Sequence, residues 1–166
     1  MNVADPLLLP RVHLSPGALL VTRQPQWVVT VLGSCVAVTM FDRRHGLAAI
    51  CHATLPQPLR PSALAVDDQQ RLRYVGHVLP AMLALFQDRG VSRGKIEAKL
   101  FGGANMFARR KSAMGDHLIG EANVIAVREH LEHAGIEVAA ENTGGQRGRK
   151  IFFNTGTGEV LHQFLR

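Results

Sequence analysis

Short apolar runs separated by turn-forming residues dominate the first third of the chain. Residues 27–32 (WVVTVL) are β-branched and apolar, and a Gly-Ser pair separates them from a second run, CVAVTMF, at residues 35–41. A polar DRRHG sequence then precedes a third run at residues 47–52. Runs of this kind are typical of strands, and a short polar loop between two of them is typical of a hairpin. We therefore expect three strands here, the last two paired.

Two longer segments carry the spacing of amphipathic helices. Apolar residues recur every three or four positions from residue 67 to 89, and Gly90 is placed to end that helix. Pro80 is expected to kink or split it near Leu79, because proline cannot donate the helical hydrogen bond. A second apolar stripe occupies residues 120–135 and also ends on a glycine. The pattern predicts two helices.

Strand patterns return around the second helix. Residues 95–101 alternate charged and apolar side chains, and residues 136–140, 150–154 and 159–164 form three further short apolar runs. About seven strands and two helices, with most strands adjacent in sequence, predict the α+β class. We expect a layered α/β sandwich of mostly antiparallel strands with flanking helices, and no doubly wound fold, since no GxGxxG leads from a strand into a helix.

Length and composition restrict the class of protein. A chain of 166 residues that is 46% hydrophobic and 19% charged is typical of one globular domain. We read residues 1–166 as a single domain with about residues 1–14 as a disordered tail. No apolar run approaches the roughly 18 residues that cross a bilayer, and no basic leader precedes the first leucines. The sequence predicts a cytoplasmic protein without membrane insertion.

The formal net charge of +6 suits an acidic partner, either nucleic acid or an acidic protein surface. The basic residues come in short clusters, at residues 109–111 and 147–150, and the chain has one Trp, one Tyr and seven Phe available for base stacking. This distribution favours a solvated surface or a protein-docking face. We expect no nucleic-acid partner.

The candidate chemistry begins with two cysteines, Cys35 and Cys51. In the cytosol both thiols are kept reduced, and without a CxxC pair a zinc site is not expected. If residues 35–41 and 47–52 pair around a four-residue loop, Cys35 lies directly opposite His52 on one face. An imidazole there can take the thiol proton and is expected to lower the thiol pKa as an ion pair. The remaining histidines share no ligand spacing, so no metal is expected.

Plainer interpretations compete with a catalytic one. Cys35 can be an ordinary buried cysteine and His52 a core histidine with its hydrogen bonds satisfied. Cys51 is a rival nucleophile, although strand alternation places it on the face opposite His52. Spacing alone leaves these alternatives open.

Five motifs follow one another along the chain, namely LGSCVAV at residues 32–38, CHATLP at 51–56, KLFGGANMF at 99–107, IGEAN at 119–123 and ENTGGQRGRK at 141–150. In this order they resemble the chemoreceptor glutamine deamidase CheD family. The first two match the family signatures LGSCVA and HxxLP. The likeness extends from about residue 15 to 164, and several motifs in register are far more specific than any one of them.

The resemblance implies a layered α/β fold shared with bacterial toxin deamidases and a Cys-His-Thr triad that converts receptor glutamines to glutamates. Carried onto this chain, the nucleophile is Cys35 and the base is His52. The orienting threonine should lie just upstream of Gly33, where Thr30 is the only threonine. Some members have it six residues before the cysteine, where this chain has Val29. On a regular strand, adjacent positions point to opposite faces.

The resemblance therefore implies a protein-glutamine glutaminase that acts on methyl-accepting chemotaxis receptors without a cofactor. The same site is expected to accept glutamyl methyl esters, which share the acyl carbon. The alternative is a regulatory binding module that docks onto receptors or onto the CheC-type phosphatase that the family partners. A cysteine peptidase is disfavoured because the Cys-His pair is local in sequence.

Overall fold

A computed structural model describes residues 8–57, 68–106 and 119–166 of the chain. Within these ranges the chain forms nine strands, three α-helices and a short 3-10 helix, Arg93–Lys95. The strands are β1 (Arg11–His13), β2 (Leu19–Thr22), β3 (Trp27–Leu32), β4 (Val36–Asp42), β5 (Leu47–Ala53), β6 (Glu97–Gly102), β7 (Val138–Thr143), β8 (Arg149–Asn154) and β9 (Val160–Phe164). The α-helices are α1 (Asp68–Arg71), α2 (Val75–Gln87) and α3 (Ile119–His133).

Two sheets and a helical layer make up the architecture. The four-stranded sheet has the order β1-β3-β8-β9, and the five-stranded sheet has the order β2-β5-β4-β6-β7. Neighbouring strands are antiparallel except for the β1–β3 and β6–β7 pairs, which are parallel. The predicted α+β sandwich of mostly antiparallel strands is confirmed.

Two hydrophobic clusters hold the layers together. The five-stranded sheet packs one face against the other sheet, through residues that include Ala37, Ile50, Phe101 and Ile151. Its opposite face packs against α2 and α3. Because both faces are covered, every residue of β4 and β5 is buried. The strands that carry the predicted cysteine and histidine therefore lie in the middle layer.

The β4–β5 hairpin has a different register from the predicted one. Asp42 pairs with Leu47, so the loop is residues 43–46, and His52 lies opposite Ala37 instead of Cys35. The Asp42 carboxylate accepts the backbone N–H of His45 and contacts its ring, which closes the turn one residue later than the pattern indicated. The correction moves the pairing by two residues, so the predicted face is unchanged.

The break in the predicted first helix lies before Val75, not at Pro80. Pro80 lies inside α2, and the chain leaves the helical path between α1 and α2 instead. There the carbonyl of Arg73 accepts the backbone N–H groups of Thr54 and Leu55, at 2.8 and 3.1 Å. A tertiary contact with the segment after β5 therefore places the break, which the helical periodicity could not indicate.

Two N-terminal strands were not predicted, and the tail assignment is wrong for residues 11–14. β1 pairs with β3, and Leu14, which follows β1, is buried. β2 pairs with the outer side of β5. Both strands are too short to show a clear period, and their backbone groups are satisfied by neighbours distant in sequence. The N-terminal segment is thus built into both sheets.

The basic cluster noted at residues 109–111 lies outside the described residues. None of the helices that the structure describes is long and apolar enough to cross a membrane.

Candidate active site

Thr30 and His52, two of the three predicted site residues, meet between the two sheets, and Cys35 packs against the apolar cluster at the same interface. Thr30 lies in β3 of the four-stranded sheet and is buried, whereas His52 lies in β5 of the five-stranded sheet and is also buried. Cys35 occupies the last position before β4, is partly exposed, and packs against the cluster between the sheets. The two sheets together therefore assemble a group of side chains that neither sheet contains alone.

The contact between Thr30 and His52 fixes the tautomer of the imidazole. The Thr30 hydroxyl lies 2.8 Å from Nδ1 of His52 and 2.8 Å from the carbonyl oxygen of Leu14. A carbonyl can only accept, so the single hydroxyl proton goes to Leu14 and the hydroxyl oxygen accepts from Nδ1–H of His52. The lone pair of the imidazole is therefore on Nε2.

Nε2 of His52 is buried and has no hydrogen-bond partner among the described residues. Cys35 is two residues before Ala37, which pairs with His52, and so it is a diagonal neighbour of His52 on the same face. Diagonal neighbours within a ladder have Cβ atoms about 7 Å apart, and Cys35 lies one step beyond the last pair of this ladder, Val36 and Ala53. The free lone pair is thus on the nitrogen that a general base would use.

Burial shifts the pKa values of Cys35 and His52 in the directions that favour the neutral form of each side chain. The pKa of the Cys35 thiol is raised by burial, against a smaller lowering by its own backbone amide. Burial lowers the pKa of His52 to about 4. Burial therefore opposes the expected thiolate–imidazolium ion pair, because it disfavours both charges. Both shifts favour the neutral thiol and the neutral imidazole.

Cys51 lies on the other face of β5, as strand alternation predicts. Its side chain belongs to the cluster beneath α2 and α3, and burial raises its pKa to about 12. A thiol that is sealed in the core and held in its neutral form is a poor nucleophile. The structure leaves Cys35 as the cysteine that borders the inter-sheet site.

The segment before β4 is held by the two residues that follow β6, Gly103 and Ala104. The N–H of Gly103 donates to the carbonyl of Cys35, and the N–H of Ala104 donates to the carbonyl of Gly33, both at 2.8 Å. Gly102 has a φ of +108°, and a Cβ there would lie 2.2 Å from the Cys35 carbonyl oxygen. Only glycine allows this approach, which explains the paired glycines of the KLFGGANMF motif.

Asn123 of α3 also reaches this segment, and it was not singled out as a site residue. Its side-chain amide donates to the carbonyl of Ser34 at 3.0 Å and to that of Thr54 at 3.1 Å. Ser34 immediately precedes Cys35, and Thr54 follows the strand of His52. The sequence offered one signal, because Asn123 interrupts the apolar stripe of a predicted helix. Asparagine is unfavourable inside a helix unless its side chain forms hydrogen bonds.

Arg149 is a second buried polar residue near this end of the sandwich. It pairs with Leu32 across β3 and β8, and burial lowers its pKa. Its guanidinium donates to the backbone and side-chain oxygens of Asn142 and to the carbonyl of Gly144. This buried arginine is therefore held by neutral oxygens.

A surface cleft of about 410 Å³ opens beside the same strand ends, and Gly17, Thr54 and Arg73 are among its lining residues. The N–H of Gly17 donates to the carbonyl of His52 at 2.8 Å, so the cleft adjoins the backbone of the predicted base. No group of three or more His, Cys, Asp or Glu side chains in the described part of the chain is arranged to hold a metal ion.

The fold and the site define an α+β protein in which an imidazole and a hydroxyl meet between two sheets and a thiol packs against the same interface. Residues 55–163 match the family model described as CheD chemotactic sensory transduction. The chain belongs to this CheD family, and the family assignment made from the motifs is confirmed.

Curated relatives align along most of the chain. A protein of Geobacter sulfurreducens called probable chemoreceptor glutamine deamidase CheD 2 is 46% identical over 92% of this chain and 89% of its own length. A probable chemoreceptor glutamine deamidase CheD of Oleidesulfovibrio alaskensis is 43% identical over 95% of this chain and 74% of its own length. A protein of the same description from Maridesulfovibrio salexigens is 38% identical over 90% of this chain and 89% of its own length.

A solved structure shares the fold. The crystal structure of the Bacillus licheniformis hypothetical protein YfiH superposes with a TM-score of 0.50 at 15% identity, over 77% of this chain and 51% of that one. At this identity the likeness concerns the layered fold alone.

Proposed function

We propose that this chain is a protein-glutamine glutaminase that deamidates glutamine side chains of methyl-accepting chemotaxis receptors, with Cys35 as nucleophile, His52 as base and Thr30 as the residue that orients His52. The observation that carries the proposal is the Thr30–His52 hydrogen bond, which leaves the lone pair on the buried Nε2 atom, while Cys35 packs against the cluster between the same two sheets. Membership of the CheD family, and the names of its curated relatives, supply the substrate class.

The first half of the reaction forms a thioester. Nε2 of His52 takes the thiol proton while the Cys35 sulfur attacks the carboxamide carbon of the receptor glutamine, which gives a tetrahedral oxyanion. The imidazolium then returns its proton to the departing nitrogen. The C–N bond breaks, ammonia leaves, and the glutamyl group remains on Cys35.

Hydrolysis of the thioester completes the cycle. His52, neutral again, takes a proton from water as the water oxygen attacks the thioester carbon, and the C–S bond breaks. The sulfur leaves with the proton that the imidazole held, so the products are a glutamate side chain and the free thiol. No metal or organic cofactor enters this sequence.

The backbone amide of Cys35 is the candidate donor to the oxyanion. It faces its own thiol closely enough to lower the thiol pKa in part. A fixed N–H beside the attacking sulfur is suitably placed for an oxygen that becomes negative as the bond forms. Hydrogen bonds from neighbouring elements to the carbonyls of Gly33, Ser34 and Cys35 fix the position of this segment.

The same chemistry extends to glutamyl methyl esters, because only the leaving group changes from ammonia to methanol. We propose that the protein acts in the cytoplasm, on the cytoplasmic parts of receptors, and that a CheC-type phosphatase is a docking partner. A docking role on its own, without deamidation, is the alternative function, and loss of Cys35 would leave it unaffected.

Mass spectrometry of a receptor cytoplasmic domain tests the proposal. Incubation with the wild-type protein should add about 1 Da at each modified glutamine, since OH replaces NH2. Cys35→Ala should lower the rate by at least about 1,000-fold. Cys51→Ala is the matched control and should retain activity, because Cys51 lies on the helical side of β5. No gain with the wild-type protein would favour the docking role.

A further inference from the structure

The strands that carry the proposed base and nucleophile separate where the chemistry takes place. The β4–β5 ladder ends at the pair of Val36 and Ala53, one step short of Cys35 and Thr54. The carbonyl of Cys35 turns instead toward the N–H of Gly103, on the β6 side. The backbone ladder therefore does not by itself fix the distance between the nucleophile segment and the end of the His52 strand.

Asn123 closes this gap from the helical layer. Its Nδ2 atom has two hydrogens, and the two acceptors within reach are the carbonyls of Ser34 and Thr54. The residue is completely buried, and its Oδ1 atom has no partner among the described residues. One side-chain amide thus bridges the residue before Cys35 to the residue two positions after His52.

Helix α3 lies close enough to the two strand ends for the short Asn123 side chain to reach both carbonyls. A Cβ on Gly120 would lie 2.7 Å from the carbonyl oxygen of Gly103 and 2.8 Å from that of Ala104, so the first turn of α3 rests directly on the backbone after β6. The same two residues donate to the carbonyls of Cys35 and Gly33. With Asn123 on Ser34, all three carbonyls of the Gly-Ser-Cys segment are held by neighbouring elements.

We propose that Asn123 is a positioning residue for the deamidation reaction. It acts on Cys35 through Ser34 and on His52 through Thr54, and it keeps the thiol within reach of Nε2 without contacting the substrate. The inference rests on the proposed roles of Cys35 and His52.

The sharpest variant is Asn123→Asp, which keeps the shape of the side chain and replaces the donating amide by oxygens. An ionised carboxylate cannot donate to either carbonyl, whereas a protonated one can donate to one of them. We expect kcat for deamidation to fall by about 10- to 100-fold at neutral pH with little change in KM. Burial raises the pKa of a carboxyl group, so the variant should recover part of its kcat, relative to wild type, as the pH is lowered.

Asn154→Asp is the matched control, because it makes the same chemical change at another buried asparagine. Oδ1 of Asn154 accepts the N–H of Gly156 at 2.9 Å, and a carboxylate can keep that bond. We expect wild-type kcat for it. Asn123→Ala serves as a second variant, which should lose activity at every pH without the partial recovery.

A second measurement, the rate at which iodoacetamide alkylates Cys35, needs no receptor. Because His52 assists thiol deprotonation only when the two are aligned, the pH profile of alkylation should differ between Asn123→Asp and wild type and coincide for Asn154→Asp. Unchanged kcat and alkylation in Asn123→Asp would overturn the positioning role, as would equal losses in Asn154→Asp. If the wild-type protein deamidates no receptor and the alkylation profiles still differ, the substrate assignment fails and the positioning role stands.

Discussion

Thr30 accepts a hydrogen bond from Nδ1 of His52 because its own proton is committed to the carbonyl of Leu14. This relay joins three segments, the end of β1, the middle of β3 and the end of β5. It decides which nitrogen of the imidazole carries the lone pair, and it does so with a neutral hydroxyl instead of a carboxylate. The imidazole therefore gains orientation without gaining a negative neighbour that would raise its pKa.

Removal of the Thr30 hydroxyl should lower kcat by about 10- to 100-fold, because Nδ1 would lose its acceptor and the tautomer would no longer be fixed. Thr30→Val keeps the shape of the side chain and removes the hydroxyl, whereas Thr30→Ser keeps the hydroxyl. Ammonia release from a receptor domain measures both. Full activity in Thr30→Val would show that the threonine is only a strand residue.

The acid limb of the activity profile should lie near the lowered pKa of His52, about 4. The base must be neutral to take the thiol proton, and burial keeps it neutral well below its ordinary range. We expect kcat/KM to stay level down to about pH 5 and to fall as the pH approaches about 4. A limb near the ordinary value of 6.5 would mean that His52 is solvated in the free enzyme.

Folding stability should decrease as the pH falls below the ordinary pKa of histidine. Between about 6.5 and about 4 the unfolded chain binds a proton at His52 that the folded chain does not, so protonation favours unfolding. The loss is fully developed below the folded-state pKa and amounts to no more than about 3 kcal/mol.

Urea unfolding at about pH 7.5 and about pH 5, for wild type and His52→Gln, measures this contribution. The glutamine does not titrate, so the variant should lose about 2 kcal/mol less than wild type between the two pH values. Equal losses would place the pH dependence in other groups.

Gly102→Ala should impair both stability and catalysis, because its Cβ would meet the carbonyl oxygen of Cys35 at 2.2 Å. Gly90→Ala is the matched control, since Gly90 also has a positive φ, of +79°, but nothing lies within 4 Å of its Cβ position. We expect about 1 kcal/mol of destabilisation from the backbone strain alone in Gly90→Ala, with full kcat. Gly102→Ala should be less stable than Gly90→Ala and should also have a lower kcat. Equal stability in denaturation and equal rates of ammonia release for the two variants would contradict this account.

Sequence periodicity was informative where burial is regular. The bounds of β3 match the predicted strand, and β4, β5, β6 and α3 lie within one or two residues of their predicted positions. The assignment of Cys51 to the face away from His52 also followed from alternation alone. Apolar spacing reports which side of an element is covered, and these elements are covered on predictable sides.

Short elements and exact strand registers could not be predicted from the apolar pattern. β1 and β2 have three and four residues and are fixed by partners far along the chain. The hairpin register depends on where the Asp42 carboxylate closes the turn, a choice between loops of equal length that the apolar pattern does not distinguish.

The sequence by itself determined the family, the fold class, and the identity of the candidate thiol, imidazole and hydroxyl. Only the tertiary structure decided that Thr30 rather than position 29 aims at His52, that Leu14 fixes the tautomer, and that Asn123 spans the two strand ends. The reason is physical: these contacts cross from one sheet to the other, or from a helix to a sheet. Their distances are set by how whole layers pack, which no local spacing along the chain encodes.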